Sequence, residues 1–211
     1  MATLSEMTER VRDALRDSEK TFLSDTSIGN WLNEAQLDVN ARLGVLKKGV
    51  DDTFDVNGKD TLPTDFLRED ALYIATEEPT SFNTPQFTND EVFLSWKNGP
   101  GTPPGTLARI HNEKIETFPI AANKSYTMEY FYKPTRLEAG PDVSALPEEL
   151  HVRLINYARA HAKWVEGEQG EGDRYWTLYT EGLPSAPTGL YRTRPGPFGF
   201  VAAPSYWDSE M

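Results

Sequence analysis

The chain has 211 residues, of which 33 are acidic and 21 basic, so its formal net charge is −12. This length allows one or two domains with their own hydrophobic core, and the negative charge disfavours a nucleic-acid-binding protein, because phosphate backbones attract basic surfaces. The absence of cysteine excludes disulfides, thiol nucleophiles, zinc ribbons and iron–sulfur clusters, and it fits synthesis in a reducing cytosol.

Helical patterns occupy the first 48 residues. The first predicted helix starts at a capping box of Thr3 and Glu6 and ends near Phe22. A second helix ends at Gly44, a residue type that tolerates the left-handed backbone of a helix C-terminus. Its N-terminal cap is one of three polar residues: Asp25, Thr26 or Ser27. The apolar stripes predicted to be buried are Met7, Val11, Leu15 and Phe22 on the first helix, and Ile28, Leu32, Ala35, Val39 and Leu43 on the second.

Strand patterns follow, over residues 49–135. Residues 126–132 alternate in a period of two and are rich in aromatic side chains, which indicates a strand with one buried face. Residues 108–111 and 114–118 flank Asn-Glu at positions 112–113, the spacing of a two-residue hairpin turn.

Shorter apolar runs complete the strand-rich middle of the chain. Residues 72–75 and 92–96 predict two further strands. Residues 98–105 are rich in Pro and Gly and predict a loop between strands, because such residues support neither a ladder nor a helix. The middle of the chain is therefore expected to be an antiparallel β module inserted between two helical hairpins.

Helical patterns return after the β module. A third helix is predicted to begin at Pro147, with acidic residues suited to its positive N-terminus. Gly167 and Gly170 are expected to separate it from a short fourth helix that runs to Gly182. The predicted buried stripe of the third helix is Leu150, Leu154, Tyr157, Ala158, His161 and Val165, and the fourth carries Tyr175, Trp176, Leu178 and Tyr179.

These elements predict an α+β fold with three parts. Residues 1–48 and 136–182 form a four-helix bundle-like core made of two helical hairpins. Residues 49–135 form the inserted antiparallel β domain. Residues 183–211, called the arm below, contain five of the 15 prolines and five of the 24 aromatic residues and show neither helix nor strand periodicity. Such a segment is expected to be extended and to bury its aromatic residues on its own domain, a neighbouring copy or a partner.

Histidines and carboxylates are the candidate catalytic or metal-binding residues. His151 and His161 lie on one predicted helix and His111 beside the hairpin turn, without an HExxH, HxH or His-carboxylate spacing, so we interpret them as surface or structural histidines. Adjacent carboxylates are typical of a solvated acidic surface, since catalytic pairs face each other across a cleft. These pairs are Asp51 and Asp52, Glu69 and Asp70, Glu77 and Glu78, Asp90 and Glu91, and Glu148 and Glu149.

Motifs for nucleotide, nucleophile and calcium chemistry are incomplete. Residues 98–105 match neither GxxxxGK[ST] nor GxGxxG, no GxSxG elbow occurs, and DVNGKD at residues 55–60 lacks the glutamate that completes an EF-hand loop. We therefore predict no catalytic residue, metal ligand or cofactor, and no enzyme. The chain has no run of 18 apolar residues and no signal-peptide core, so we expect a soluble protein that is neither exported nor membrane-bound.

Five pieces of sequence, in this order, carry a resemblance to a known family. They are IGNWLNEAQ at residues 28–36, TLPTDFLR at 61–68, IHNEKI at 110–115 leading to FPI at 118–120, YTMEYFYKP at 126–134 and LPEELHV at 146–152. In this order they resemble, over roughly residues 3–182, the head–tail adaptor proteins of tailed bacteriophages, ring-forming connectors beneath the portal. Glu113 stands where we expect Gly in the hairpin turn, and the arm matches nothing that we can align.

The resemblance implies a structural protein of the virion neck, made in the host cytoplasm. Such adaptors form rings, typically of twelve copies, whose helical bundle docks on the portal and whose lumen extends the DNA channel. The implied partners are the portal protein, neighbouring adaptor copies and a downstream tail or nozzle protein, with no membrane contact. An acidic lumen lets DNA pass without specific binding.

The resemblance also implies a role for the arm, because family members often use C-terminal extensions to reach the portal. Aromatic and arginine side chains are the residue types that most often anchor a protein interface. The candidate residues for docking on the portal or a neighbouring copy are Tyr191, Arg192, Arg194, Phe198, Phe200, Tyr206 and Trp207.

Two other functions stay open at this point. A ligand- or carbohydrate-binding β module of a virion or tail protein is motivated by the aromatic strand at residues 126–132 and the loop at residues 98–105. A hydrolase that uses scattered carboxylates is the third hypothesis, although no spacing places two acids across a cleft.

Overall fold

The computed structural model describes residues 2–15, 23–76 and 82–184, and they form a mixed α+β fold with five helices and eight strands. The helices are α1 (Leu4–Leu15), α2 (Asp25–Leu43), α3 (Asp90–Asn98), α4 (Glu148–Glu166) and α5 (Gln169–Thr180). The strands are β1 (Lys47–Thr53), β2 (Lys59–Thr61), β3 (Phe66–Ala75), β4 (Phe82–Asn83), β5 (Gln86–Phe87), β6 (Leu107–His111), β7 (Lys114–Phe118) and β8 (Ser125–Tyr132). Within this part of the chain, no helix combines the length and apolar character needed to cross a membrane.

The first two helices begin and end at local capping signals. The capping box of α1 is confirmed: the backbone N–H of Thr3 donates to Glu6 Oε2 at 2.9 Å, and that of Glu6 donates to Thr3 Oγ1 at 3.2 Å. None of the three predicted caps of α2 is correct, because Ser24, just before them, is the cap and its Oγ accepts from the Ser27 N–H at 3.0 Å. Gly44 ends α2 with φ of 62°, as predicted.

A single hydrophobic core joins α1, α2, α4 and α5, and α4 contacts each of the other three helices. Three described residues of the predicted stripes lie outside this core: Leu43 is 36% exposed, Val165 is 58% exposed, and His161 is half-buried. Leu43 is the last residue of α2, and α5 folds back over the Trp164 side of α4 rather than over Val165. The bundle-like arrangement of these helices stays a prediction. The buried members of the stripes are Met7, Val11, Leu15, Ile28, Leu32, Ala35, Val39, Leu154 and Ala158.

Two four-stranded sheets occupy the middle of the chain. One has the strand order β1–β8–β3–β4 and the other β2–β7–β6–β5. The predicted alternation of β8 is confirmed, since Tyr126, Met128 and Tyr130 are buried and the residues between them are not. They pack with side chains from both sheets in a second hydrophobic core, which includes Leu72 and Ile115. Each sheet thus has one face in this core.

The predicted hairpin is present, whereas the antiparallel prediction fails at one strand. Strands β6 and β7 pair from Leu107↔Phe118 to His111↔Lys114, and both turn residues have positive φ, 49° at Asn112 and 61° at Glu113. Strand β5 instead pairs with β6 in parallel. The intervening α3 accounts for this, because it is the crossover that returns the chain in the same direction.

Residues 92–96, predicted as a strand, lie in α3, so the loop at residues 98–105 connects a helix to a strand. The Asn89 side chain caps the helix by accepting from the Val92 N–H at 2.9 Å. A run of five residues with four apolar members does not distinguish a helix from a strand, and the cap at Asn89 favours the helix.

Two other predicted helix boundaries remain to be compared: one differs from the structure, and the other lies outside the described residues. Gly170, predicted to break the helical pattern, is inside α5, because Gly167 alone ends α4 with φ of 85°. The predicted extension of the first helix from residue 16 to Phe22 lies outside the described residues.

Candidate functional site

The seven candidate docking residues of the arm lie outside the described residues, but the start of the arm does not. Leu183 packs against the helical core, and the Pro184 carbonyl accepts a hydrogen bond from Arg42 Nη1 at 3.4 Å. Arg153 Nη1 donates to the carbonyls of Tyr179 and Glu181 at 2.8 and 2.6 Å, which holds the end of α5. The arm therefore leaves the helices beside the C-terminal end of α2.

Five ring side chains form a continuous patch on α2, α4 and α5. Each is half-buried, so its rings are partly open to solvent. On α4 the contributing positions follow i, i+4 and i+7 spacing, which places them on one side of the helix. We call this patch the aromatic surface: Trp31, Tyr157, His161, Trp164 and Trp176.

His161 stands at the centre of the aromatic surface. Its ring centroid is 4.5 Å from that of Tyr157, 5.2 Å from Trp164, 5.8 Å from Trp31 and 6.2 Å from Trp176. Its Nε2 is buried without a hydrogen-bond partner. Burial lowers the pKa of His161 to about 4, because the surrounding rings cannot solvate the imidazolium. The histidine is therefore neutral at physiological pH.

The aromatic surface rests on a buried polar contact between α5 and α2. Tyr179 is fully buried, packs edge-on against Tyr157 with centroids 5.0 Å apart, and donates its hydroxyl to Asp38. Burial and the negative charge of Asp38 both raise the pKa of Tyr179. Arg42 Nε donates to the same carboxylate at 2.8 Å, so this buried charge is paired.

Two carboxylates touch the rings at the rim. The Tyr157 hydroxyl donates to Glu34 Oε2 at 3.4 Å, and Trp164 Nε1 donates to Asp173 Oδ1 at 3.1 Å. Partial burial raises the pKa of Glu34, with the Tyr157 hydrogen bond opposing that rise. Among the described residues, Glu34 forms no salt bridge. The surface thus combines exposed aromatic area with negative charge at its edge, the chemistry that recognises basic and aromatic segments of protein.

The histidines predicted to be structural occupy three different environments. His151 is buried, with its ring nitrogens 3.4 Å from Ala2 N and 3.0 Å from the Leu146 carbonyl. His111 Nδ1 lies 3.0 Å from Asp90 Oδ2. His161, by contrast, belongs to the aromatic surface. Within the described ranges, no three acidic or histidine side chains converge in a way that could hold a metal ion.

The adjacent carboxylates do not face each other across a cleft. Asp51 accepts from the Thr127 hydroxyl at 2.6 Å, Asp70 pairs with Lys47 Nζ at 2.6 Å, and Asp90 pairs with Arg109 Nη1 at 3.0 Å. The first two contacts join strands of one sheet, and the third joins α3 to the other sheet. Glu77 and Glu78 lie outside the described residues.

The aromatic strand β8 provides little ring area for a ligand. The hydroxyls of Tyr126 and Tyr130 donate to Asp60 at 2.6 Å and Asp65 at 3.0 Å, and both rings are buried in the β core. On the other face, the Arg68 guanidinium covers the Phe131 ring, 4.4 Å from its centroid. The strand therefore serves mainly as packing surface for the core.

A groove of about 470 Å³ lies between α1, α2 and the segment at residues 136–140. Its arginines are engaged: Arg12 Nη2 contacts Asp25 Oδ1 at 2.7 Å, and Arg136 Nη2 donates to Asn30 Oδ1 at 2.5 Å. These pairs join the walls of the groove to each other, so we assign no ligand to it.

Sequence reasoning placed Tyr157 and His161 on the buried stripe of α4 and did not predict the aromatic surface. The i, i+4 and i+7 spacing of Tyr157, His161 and Trp164 was the available signal. Nothing in the sequence indicated that Trp31 and Trp176, on two other helices, would meet that row.

Comparison with known proteins adds one finding. The family model described as SU10 adaptor protein matches residues 2–198, nearly the whole chain. No curated protein matches the chain.

Proposed function

The chain belongs to the SU10 adaptor protein family, and from that premise we propose that it is the head–tail adaptor of a tailed phage. In this proposal it forms a ring of twelve copies, the number typical of such adaptors, beneath the portal in the virion neck. The ring extends the DNA channel and presents a docking surface for a tail or nozzle protein. The observation that carries the proposal is the family match over residues 2–198, and an adaptor role requires no catalytic site.

The charge distribution supports passage of DNA without binding. Residues 49–135 carry 14 acidic and seven basic residues, so this part holds seven of the twelve excess negative charges. A lumen lined by such a surface repels the phosphate backbone and lets DNA slide. Phage DNA is therefore a passing cargo of the ring and not a specific ligand.

The arm supports attachment to protein. Its aromatic residues have no periodic pattern that would bury them within the arm itself, so a second surface must cover them. We propose that Phe198, Phe200 and Trp207 anchor the arm, with Tyr191, Arg192, Arg194 and Tyr206 beside them, on the portal or a neighbouring copy.

The adaptor function is tested by removing the protein from phage assembly. Without it, heads should package DNA but fail to join tails, and addition of the purified protein should restore joining. Normal joining of tails in its absence would overturn the adaptor proposal.

The docking role of the arm needs a separate experiment. A chain that ends at Pro184 keeps Leu183 in the helical core and should fold, yet fail to join portal-bearing heads. A matched variant keeps the full length of the chain and carries serine at all five aromatic positions of the arm. It shows whether joining depends on the aromatic side chains or only on the length of the arm. If either variant joins heads as well as the wild type, the arm does not anchor the ring through these residues.

A further inference from the structure

Strand β1 is a long edge strand with one side open in the described part of the chain. It lies at the end of the order β1–β8–β3–β4 and, among the described strands, pairs with β8 alone. Six of its seven residues are exposed, and Val50 is half-buried against the β core. The strands at the other sheet edges, β4, β2 and β5, have two or three residues each. An open edge as long as β1 is a template for one more strand.

The hydrogen bonds to β8 establish which backbone groups of β1 face the open edge. The Leu46 carbonyl accepts from the Tyr132 N–H at 3.1 Å, just before β1. The Phe54 N–H donates to the Lys124 carbonyl at 3.1 Å, just after it. Successive residues of a strand direct their N–H and C=O groups to opposite neighbours. The even-numbered residues of β1 therefore bond to β8, and those that face outwards are at positions 47, 49, 51 and 53.

Most of the outward backbone groups have no partner. The Thr53 N–H donates to the side chain of Asp52, at 2.8 Å from Oδ1. Among the described residues, no backbone hydrogen bond beyond the ladder to β8 reaches Lys47, Gly49 or Asp51. A strand added at this edge can bond to these three residues while the ladder between β1 and β8 stays intact.

The order of charges in β1 favours a second copy of β1 as the added strand. Its sequence, KKGVDDT, has two lysines before its centre and two aspartates after it. In an antiparallel pair centred on Val50, Lys48 of each copy lies opposite Asp52 of the other. In a parallel pair with the same residues aligned, lysine faces lysine and aspartate faces aspartate, which is repulsive. The charges therefore oppose parallel pairing and support the antiparallel pair.

The side chains at the centre of such a pair are suited to it. Positions 48, 50 and 52 would form the non-hydrogen-bonded pairs, in which facing side chains are closest. Val50 packs against the β core, so two facing copies of Val50 continue that core across the pair. Lys48 is bound to Asp65 in its own molecule, and its ammonium has further donors for Asp52 of the second copy.

We propose that two copies of the chain pair antiparallel through β1, about a two-fold axis at Val50, so that their four-stranded sheets become one continuous sheet. A two-fold contact joins the same surface of both copies, whereas neighbours in a ring contact each other head to tail. The pair is therefore a form of the free protein, and it does not depend on the adaptor role. It covers an edge that would otherwise be open to unspecific strand addition.

Cysteine cross-linking tests this contact, because the native chain has no cysteine. In Val50→Cys the two thiols face each other where Cα atoms are about 4.5 Å apart, which a disulfide can span. Val56→Cys is the matched control, since Val56 is 68% exposed just beyond β1 and reacts by random collision. In about 0.15 M salt, mild oxidation should link Val50→Cys at least about tenfold faster, because pairing raises the effective concentration of the thiols. Equal rates, or faster linking of Val56→Cys, would overturn the proposal.

Two substitutions of Gly49 test the backbone contact in the Val50→Cys chain. Gly49→Pro removes an outward N–H and leaves the ladder to β8, so cross-linking should fall to the rate of the Val56→Cys control. Gly49→Ala keeps the N–H, and its Cβ would meet only the Met128 carbonyl oxygen, at 4.0 Å, so cross-linking should persist. Circular dichroism checks that both variants are folded. Undiminished cross-linking in a folded proline variant would show that the copies do not pair through β1.

A charge exchange tests the register independently of the proline variant. In the Val50→Cys chain, Lys48→Glu places glutamate opposite Asp52, and Asp52→Lys places lysine opposite Lys48. Each variant alone should therefore cross-link no faster than the Val56→Cys control. An equal mixture of the two should restore fast cross-linking, because every new charge then faces its opposite. If the mixture stays as slow as the separate variants, the pair centred on Val50 is wrong.

Discussion

Position 172 shows how one missing side chain shapes the aromatic surface. An added Cβ on Gly172 would lie 2.3 Å from Trp164 Cδ1, closer than any real contact. Gly170, two residues earlier on the same helix, has nothing within 4 Å of such a Cβ. Gly172 thus permits α5 to approach the indole, and Gly170 has no comparable role.

Substitution of these two glycines by alanine should have opposite effects. We expect Gly172→Ala to destabilise the protein by about 1–3 kcal/mol, because Trp164 must move out of its packed position. Gly170→Ala should be neutral or stabilise by up to about 1 kcal/mol, since alanine favours a helix. Urea unfolding of both variants measures the difference, and equal stabilities would contradict the close packing of Trp164.

His161 makes the stability of the helices sensitive to acid. Its pKa is about 4 in the folded protein, below the ordinary value of 6.5, so the folded state resists protonation. Its contribution is complete above pH 6.5 and is lost as pH falls from 6.5 towards 4, with a total on the order of 3 kcal/mol. His161→Phe keeps a ring at this position and removes the titration.

The His161→Phe variant should therefore lose less stability than the wild type between pH 7 and pH 4. Urea unfolding at several pH values measures both losses, and the carboxylates common to both proteins contribute equally. Parallel losses in the two proteins would show that His161 is not the group responsible.

At the scale of elements, Asn40 joins the helices to the first sheet. It is fully buried at the C-terminal end of α2. Its Nδ2 donates to the Tyr132 carbonyl at 2.8 Å, and its Oδ1 accepts from the N–H groups of Val45 and Leu46 at 3.1 and 2.7 Å. Tyr132 itself packs against both hydrophobic cores. One side chain thus holds the end of β8 beside the segment that leads into β1.

Loss of this joint should be costly. Asn40→Ala leaves the buried Leu46 N–H without its acceptor, so we expect a loss of about 2–4 kcal/mol. Asn30→Ala, on the same helix, removes only the exposed contact with Arg136 and should cost less than about 1 kcal/mol. Chemical denaturation of the two variants provides the comparison, and a similar small cost for both would argue against Asn40 as the joint.

Element type was predictable where a local signal was strong. The capping box of Thr3 and Glu6, the stop at Gly44 and the hairpin at residues 112–113 all act within a few residues, and each is confirmed. The strand prediction at residues 92–96 is wrong because the four apolar residues of this run fit both periods, whereas the capping Asn89 favours a helix. The parallel pairing of β5 depends on where α3 returns the chain, which no local pattern reveals.

At the scale of the whole molecule, charge governs association. Each copy carries a formal net charge of −12, so copies brought together in a ring repel one another at low ionic strength. A ring of such subunits needs a template that supplies binding energy, the role that we propose for the portal.

The isolated protein should accordingly be monomeric or weakly associated in low salt. Added salt should promote association, because it screens the repulsion between acidic surfaces. Mass measurement across a salt series tests this expectation. A stable dodecamer in low salt would contradict it.

The sequence by itself determined the α+β class, the order of most elements, their caps and the adaptor resemblance, because periodicity, turn chemistry and motif order are local properties. Only the tertiary structure decided which faces meet. Trp31, His161 and Trp176 lie on three helices, and their contact depends on how α2, α4 and α5 pack. Burial then sets the pKa of His161, since desolvation is a property of the packed neighbours and not of the residue.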